Sequence, residues 1–331
     1  MPTGNTSGGA LAVRGMGGPD ELHSAGGKGA SPFPGPDASL LSPEIASRLA
    51  QLSILSRRMA DARRRGRRKN RRPGAGAELL DTRPYVVGDD PRRIAWSAYA
   101  RLERLVVRLA ADEAPLRLAL VIDTSASMRF GAPSKLRQAA RIAAGLAAVA
   151  LSGEDRVAAV ASSARGVASI RGSGGRAGMA KLLGMLDGLT AEGETDLAGA
   201  AAAATHAAGG RALCVILGDL LDPVGALAGA RAARRRGHEV TIVEVLDPFE
   251  VDPPELDGLD LEDDETGEIV VMPSHGARAA YLEALAEHRA RVDEGAAELG
   301  APVLRVTTVE PFDAVIGHAL AAGLLRGGGL Q

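Results

Sequence analysis

Oxygen-bearing side chains follow the apolar run LRLALVI at regular spacing. The run leads directly into Asp123, Ser125 and Ser127, a carboxylate and two hydroxyls at alternate positions. An extended backbone has a two-residue period, so these three side chains point the same way. Carboxylate and hydroxyl oxygens are the ligands that a hard divalent cation prefers. The alternative is a polar turn at a strand end, in which a serine caps the next helix.

Further oxygen donors occupy comparable places later in the chain. Asp219 follows the apolar run ALCVILG, and Thr195 lies in the loop AEGETDLAG before an alanine-rich helix. In open α/β sheets, ligands bind beyond the carboxyl ends of the strands, where such loops meet. Histidine and cysteine are not among these donors, which argues against zinc and copper. The sequence therefore predicts a Mg²⁺ or Mn²⁺ site formed by Asp123, Ser125, Ser127, Thr195 and Asp219.

Two neighbouring carboxylates are expected to have a structural role instead. Asp196 is placed to cap the alanine-rich helix, although its role and that of Thr195 could be exchanged. Asp222 precedes a proline and is predicted to cap the helix that follows the Asp219 loop.

The elements that must position these loops alternate between strand and helix from Pro115 onward. The chain has 46% hydrophobic but only 2% aromatic residues, so small and branched side chains must build its layers. We predict an α/β fold with a doubly wound, mainly parallel sheet and helices on both faces, of the Rossmann-like class. DRVAAVAS and ARGVASI could form a hairpin within it. A small acidic hairpin, residues 256–273, is inserted between a strand and the next helix.

The chain divides into four predicted parts. Residues 1–40 form a tail rich in Gly, Pro and Ser that we expect to be disordered. Residues 41–75 form an amphipathic helix that runs into a basic tract, residues 57–72, with ten Lys or Arg and one Asp. Residues 76–114 form a mixed polar segment, and residues 115–331 form the α/β domain. The helix carries apolar residues at helical spacing: Ile45, Leu49, Leu52 and Leu55.

The composition limits the class of protein. The formal net charge is −2, so the chain as a whole does not indicate a polyanionic partner. The single cysteine, Cys214, lies in an apolar run and is expected to be a buried thiol in a reducing compartment. The N-terminus lacks a signal-peptide pattern, and the apolar runs fall short of the ~18–20 residues of a membrane span. We therefore expect a soluble, cytoplasmic protein.

The three donor loops resemble the metal-ion-dependent adhesion site of von Willebrand factor type A domains. The resemblance rests on DTSAS, Thr195 and the LGD of Asp219, and covers residues 113–331. The preceding segment, residues 85–115, resembles the family called domain of unknown function 58. Its matching residues are Tyr85, Gly88, Asp89, Asp90, Arg92 or Arg93, Ile94, Trp96, Ala100 and Arg101. Ala95 replaces the Asp that is usual in this family, and the DDETGEI hairpin also resembles it.

The resemblance implies a non-enzymatic function in protein interaction. An open coordination position on the ion would accept a carboxylate from a partner, and family members are associated with MoxR-type AAA+ ATPases. One alternative is a metal-dependent hydrolase or phosphotransferase that uses the same carboxylates, although no nucleophile–base pair is evident in the sequence. Another is an adaptor that binds nucleic acid or an anionic membrane through the basic tract. In the Gly-Asp-Asp-Pro segment, a structural turn is favoured over an acid pair for hydrolysis.

Overall fold

A computed structural model describes residues 11–14, 40, 43–52, 82–89, 91, 94–108, 117–152, 155–163, 166–256, 260–263, 269–271 and 275–321. The chain forms two compact units. The sheet unit consists of Met1–Ile54 and Leu116–Gln331, and the signature unit consists of Leu55–Pro115.

The described strands are β1 (Leu11–Arg14), β2 (Thr82–Pro84), β3 (Val106–Arg108), β4 (Arg117–Asp123), β5 (Arg156–Ser163), β6 (Gly166–Ser173), β7 (Leu213–Gly218), β8 (Glu239–Leu246), β9 (Asp260–Asp263), β10 (Ile269–Val271) and β11 (Val303–Thr307). The described helices are α1 (residues 43–52), α2 (Trp96–Leu102), α3 (Lys135–Ser152), α4 (Gly175–Asp187), α5 (Leu197–Ala208), α6 (Pro223–Arg235), α7 (Pro248–Val251), α8 (Ala277–Glu298) and α9 (Phe312–Ala321), with a 3₁₀ turn at Ala126–Arg129.

A six-stranded sheet organises the sheet unit, in the order β11-β8-β7-β4-β5-β6. Its strands pair in parallel except for β6, which pairs antiparallel with β5 at the edge, as the hairpin prediction requires. Helices cover both faces, since one apolar cluster includes residues of α3 and α9 and a second includes residues of α5, α6 and α8. The predicted doubly wound α/β class is therefore confirmed.

The central strand β4 is apolar at successive positions because both of its faces are buried. Its alternate residues Leu118, Leu120 and Ile122 belong to one apolar cluster, while Ala119 and Val121 belong to the other. A strand that is covered on both faces has no side that can be polar, so the run reads as uninterrupted hydrophobic sequence. After Arg117 at the start of the strand, the next polar position is Asp123, which marks the carboxyl edge of the sheet.

Helix α1 belongs to the sheet unit and is not a separate segment. Ile45, Leu49 and Leu52 are buried in the same cluster as side chains of α3 and α9. The Arg48 guanidinium lies 3.3 Å from the Asp313 carboxylate of α9. The apolar side of α1 is thus covered by protein, while Leu55 and the basic tract lie outside the described residues.

The inserted hairpin is present as the antiparallel pair of β9 and β10. Its turn lies outside the described residues. Strand β1, from the tail that was expected to be disordered, adds a third strand on the other edge of β9. The run LAVR is compatible with this because an open strand edge offers unpaired backbone groups to any short extended segment.

The signature unit contains a short antiparallel ladder of β2 and β3 with helix α2 between them. Gly88 has φ of +111°, and the Asp89 N–H donates to the Val86 carbonyl at 3.0 Å. The Asp89 carboxylate accepts two hydrogen bonds from Arg83, at 2.7 and 2.5 Å. These contacts close a turn at Gly88–Asp89, in agreement with the structural interpretation of this segment. Asp90, Arg92 and Arg93 lie outside the described residues.

Ala95 occupies the position that begins helix α2. It is the N-cap residue, and its side chain makes no capping hydrogen bond. Aspartate is among the preferred N-cap residues because its carboxylate accepts a backbone N–H of the first turn. Alanine cannot supply such a cap, so the first turn of α2 lacks a side-chain capping hydrogen bond. Trp96, the next residue, is 60% exposed and contacts Tyr99 edge-on.

The single cysteine and the lengths of the helices can now be compared with the sequence predictions. Cys214 is fully buried in β7, and burial raises the pKa of its thiol to about 12, so it is the structural thiol that the sequence predicts. Within the described ranges, every helix is too short or too polar to cross a bilayer.

Arg141 of α3 is a buried charge. The residue is 2% exposed, and its Nε and Nη2 have no hydrogen-bond partner among the described residues. Burial, followed by repulsion from Arg137 and Arg48, lowers the pKa of its guanidinium. An uncompensated buried charge destabilises a folded protein.

We therefore expect Arg141→Met to raise the free energy of unfolding by about 1–4 kcal/mol. Urea denaturation followed by circular dichroism measures this difference. Arg137→Met is the matched control, because Arg137 has an ion pair with Asp187 at 3.3 Å and the same substitution should not stabilise the protein. A lower unfolding free energy for Arg141→Met than for the unsubstituted protein would contradict the prediction.

Candidate metal centre

Two carboxylates lie at the carboxyl ends of adjacent parallel strands. Asp123 ends β4, and Asp219 directly follows β7. Both side chains are buried. Gly218 makes room for Asp123, since a Cβ added there would lie 2.8 Å from the Asp123 Cβ. The strand register thus brings together two acidic residues that are almost a hundred positions apart.

The two serines of the first loop surround Asp123. The Ser125 N–H donates to Asp123 Oδ1 at 2.9 Å, and the nearby Ser125 hydroxyl also favours the ionised form of this carboxylate. The hydroxyl oxygens of Ser125 and Ser127 lie 3.0 Å apart. The 3₁₀ turn that begins at Ala126 folds the loop tightly enough to bring both hydroxyls to one side. Ser125 and Ser127 are both buried.

Thr195 approaches the same carboxylate from the loop before α5. Its hydroxyl oxygen accepts the Thr124 N–H at 3.3 Å, and its proximity opposes the rise in the pKa of Asp123. Backbone hydrogen bonds hold this loop against the first one, from the Glu192 N–H to the Thr124 carbonyl at 2.9 Å and from the Ala126 N–H to the Gly193 carbonyl at 2.8 Å. Thr195 therefore faces the site.

The neighbouring carboxylates cap helices, as the sequence predicts. Asp196 accepts the Gly199 N–H at 2.8 Å at the start of α5. Asp222 accepts the N–H groups of Val224 and Gly225, both at 3.1 Å, at the start of α6. The exchange of roles between Thr195 and Asp196 is therefore not observed.

Asp219 is held by a lysine. Its Oδ2 accepts a hydrogen bond from Lys135 Nζ at 2.9 Å, and its Oδ1 accepts the Leu221 N–H at 3.1 Å. Leu220, which lies between Asp219 and Leu221, has φ of +60°, in the left-handed region that non-glycine residues rarely adopt. Such strain persists only where surrounding contacts impose it. Lys135 is fully buried and also donates to Glu250 Oε1 at 2.6 Å.

The electrostatics of the site favour a cation. Burial and the nearby Asp219 charge raise the pKa of Asp123 to about 6, although hydrogen bonds from Ser125 and Thr195 oppose the shift. Burial lowers the pKa of Lys135, but Asp219 and Glu250 outweigh it and the net shift is upward. When all groups are ionised, three carboxylates face one ammonium. The surplus of two negative charges matches one divalent ion.

The donor set consists of oxygen atoms, the ligand type that a hard cation prefers. In the part of the chain that the structure describes, no three His, Cys, Asp or Glu side chains converge as ligands. The donors that do converge are one carboxylate and three hydroxyls, with a second carboxylate beside them. Mg²⁺ and Mn²⁺ accept such oxygen ligands together with water. The structure thus brings together Asp123, Ser125, Ser127 and Thr195, and places Asp219 next to them.

Sequence reasoning missed Lys135 and Glu250. Lys135 is a cation in the first turn of a helix that is otherwise mostly apolar, which is the one local signal it offers. Glu250 forms a capping box with Asp247 at the start of α7, a pattern that accounts for its contact with the Asp247 N–H. Neither signal indicates that the two side chains meet.

A cavity of about 320 Å³ lies beside the donor loops, between α3, α4 and the segment that precedes Thr195. Apolar side chains, including Leu186, form part of its wall, and polar groups from both neighbouring loops complete it. The polar lining residues are Arg129, Ser134, Arg137, Thr190 and Glu192. The donor loops therefore border a groove that can contact a ligand.

Known proteins of similar sequence are uncharacterised. The uncharacterized protein Mb1516 of Mycobacterium bovis is 31% identical over 274 residues, which cover 80% of this chain and 86% of that protein. The uncharacterized protein Rv1480 of Mycobacterium tuberculosis gives the same values.

Solved structures give weaker similarities. The conserved hypothetical protein BatB from Bacteroides thetaiotaomicron has a TM-score of 0.41 and 16% identity, over 64% of this chain and 100% of that chain. The SpRpn10 VWA domain has a TM-score of 0.39 and 10% identity, over 65% of this chain and 99% of that chain.

The family comparison is more specific. The model of the family described as "Protein of unknown function DUF58" matches residues 81–291, which is more than half of the chain. This range includes residues 85–115, all three donor loops and the inserted hairpin. The chain therefore belongs to the DUF58 family.

Proposed function

We propose that the protein is a non-enzymatic adaptor that binds a partner protein through a divalent cation. The observation that carries this proposal is the clustering of oxygen donors around the buried Asp123 carboxylate: Ser125 and Thr195 beside it, the Ser127 hydroxyl 3.0 Å from that of Ser125, and Asp219 adjacent. Asp123, Ser125, Ser127 and Thr195 would hold Mg²⁺ or Mn²⁺. When bound, the ion supplies a Lewis-acidic position that a carboxylate of the partner can occupy.

The surroundings of the site support binding over catalysis. Lys135, the ammonium next to the donors, is fully buried and held by two carboxylates, so it is not placed to transfer a proton to a substrate. The hydroxyl of Ser125 is engaged with both Asp123 and Ser127. A metal-dependent hydrolase or phosphotransferase remains the alternative for the same carboxylates.

We propose a MoxR-type AAA+ ATPase as the partner, in the cytoplasm. The resemblance of residues 85–115 to family members that are associated with such ATPases supports this choice. The groove beside the donor loops supports it as well, because it adds surface for a protein ligand to the single bond that an ion can make.

A binding experiment tests the proposal directly. The full chain is immobilised, and a MoxR-type ATPase from the same source is passed over it in MgCl₂, in EDTA, and in EDTA followed by excess MgCl₂. We expect binding in Mg²⁺, a loss of at least about 10-fold in affinity in EDTA, and recovery when Mg²⁺ is restored. Asp222→Asn is the control, because asparagine keeps the helix cap and the residue is outside the donor set.

Other outcomes would identify the alternatives. Binding that is equal in Mg²⁺ and EDTA would overturn the metal-dependent adaptor. Binding to nucleic acid or anionic vesicles that falls with salt and with deletion of residues 57–72 would favour the basic-tract adaptor. Hydrolysis of a phosphate ester that is lost in Asp123→Ala would favour the enzyme.

A further inference from the structure

We propose that Lys135 is a positioning residue that keeps the Asp219 carboxylate out of direct contact with the cation and so preserves a coordination position for the partner. This inference rests on the proposed function, since it concerns the same site. It assigns a role to a residue that is not one of the five predicted donors.

The position of the Lys135 ammonium is strongly determined. Lys135 is the first residue of α3, its side chain is fully buried, and its Nζ lies 2.9 Å from Asp219 Oδ2 and 2.6 Å from Glu250 Oε1. The Phe130 ring lies beneath it, with its centroid 5.9 Å from Nζ. A buried ammonium is tolerated only with such partners, so it cannot leave without a large cost.

Glu250 is the second carboxylate that anchors the lysine. Its other oxygen, Oε2, accepts the Asp247 N–H at 2.7 Å. Asp247 is itself fixed, because it accepts the Phe249 N–H at 3.0 Å and the Thr308 hydroxyl at 2.8 Å. The ammonium is thus held between a carboxylate tied to the backbone and the Asp219 carboxylate.

Both oxygens of Asp219 are consequently engaged on the protein side. Oδ2 is bound to Lys135, and Oδ1 is bound to the N–H of Leu221. A direct bond to a divalent ion would bring that ion close to the lysine charge, which repels it. Asp219 therefore acts on the ion through its charge or through a water molecule, and one more position on the ion stays exchangeable.

The charges of the network allow a sharp test. Asp123, Asp219, Glu250 and Lys135 sum to −2 when ionised. Lys135→Met alone changes this sum to −3 and leaves the buried Asp219 and the partly buried Glu250 without their partner. The double variant Lys135→Met/Glu250→Gln restores −2, so it folds under a smaller electrostatic penalty and isolates positioning from net charge.

Water exchange on bound Mn²⁺ measures the predicted difference. The full chain and the double variant are loaded with Mn²⁺, and the enhancement of solvent proton relaxation gives the number of exchangeable waters on the ion. We expect about one water fewer in the double variant, because Asp219 is released to bind directly, and an Mn²⁺ affinity at least about 5-fold higher. Acetate, as a model carboxylate, should displace water from the double variant only at concentrations at least about 5-fold higher.

Lys181→Met is the matched control, since it is the same substitution at an exposed lysine of α4 that lies outside the donor set and the groove. Its water number should equal that of the unsubstituted protein. An equal water number and equal acetate response in the double variant would overturn the role of Lys135 and leave the adaptor proposal intact. A lack of Mn²⁺ binding by the unsubstituted protein would overturn both.

Discussion

Replacing Asp123 by asparagine will make the ion-free protein more stable and will abolish its stabilisation by Mg²⁺ and Mn²⁺. In the folded protein, burial and the charge of Asp219 raise the pKa of Asp123 to about 6. At pH 7 the folded state must therefore ionise a carboxylate that it would prefer to keep protonated. The shift corresponds to a cost of about 3 kcal/mol, which asparagine removes while it keeps an oxygen that can accept the Ser125 N–H.

The pH dependence of this gain has a definite sign. Because the folded state holds the Asp123 proton more tightly than the unfolded chain, the free energy of unfolding falls as the pH rises from about 4 to about 6. The advantage of Asp123→Asn should therefore be near zero at pH 4 and complete above pH 6. This is opposite to the usual behaviour of an ion-paired aspartate, whose contribution is lost as the pH falls.

Urea denaturation in EDTA, at pH 4 and pH 7, measures the gain, and thermal unfolding with added MgCl₂ or MnCl₂ measures the response to ions. Asp222→Asn, in an exposed capping residue, should show neither effect. If Asp123→Asn were the less stable protein in EDTA at pH 7, or if Mg²⁺ stabilised it as much as the unsubstituted protein, Asp123 would not be the ligand that we propose.

Replacing Gly218 by alanine will damage the same site from the neighbouring strand. An added Cβ would lie 2.8 Å from both the Cβ and Oδ2 of Asp123, closer than side-chain atoms normally approach. The Asp123 side chain must shift from its observed position to relieve the clash, which disturbs its contacts with Ser125 and Thr195. We expect Mn²⁺ affinity to fall at least about 10-fold and the free energy of unfolding to fall by about 1–3 kcal/mol.

Gly184→Ala provides the control for this substitution. Gly184 lies within α4, and an added Cβ would meet no atom within 4 Å. Alanine should therefore stabilise the helix by about 0.5–1 kcal/mol and leave Mn²⁺ affinity unchanged. Calorimetric titration with MnCl₂ gives both affinities. Unaltered Mn²⁺ binding by Gly218→Ala would show that the ion does not depend on the position of Asp123.

The fold was accessible from the sequence because its signals are local. The run that ends at Asp123 has the uninterrupted hydrophobicity of a strand covered on both faces, and the helices between strands show their own period. The meeting of Asp123 with Thr195 and Asp219 was also accessible, since parallel strands present their carboxyl ends at one edge. This general rule about parallel sheets was enough to predict which loops lie together, without any knowledge of individual contacts.

The remaining features depend on contacts between distant segments. Lys135 and Glu250 are 115 positions apart, and Arg48 and Asp313 are 265 positions apart. In each case the residue has a sufficient local explanation, as a helix-start cation, a capping-box acid or the polar side of an amphipathic helix. Local sequence patterns therefore explain why each residue type occurs at its position, but they do not predict which distant residue it contacts.

The attachment of α1 to α9 has a consequence for the order of events during synthesis. The apolar strip of Ile45, Leu49 and Leu52 leaves the ribosome long before the helix that carries Asp313. Contacts of such large sequence separation form slowly, and exposed apolar surface promotes association in the meantime. The signature unit lies in the chain between the strip and its partners, so it can mature first. The contact between Arg48 and Asp313 must therefore wait until almost the whole chain has been made.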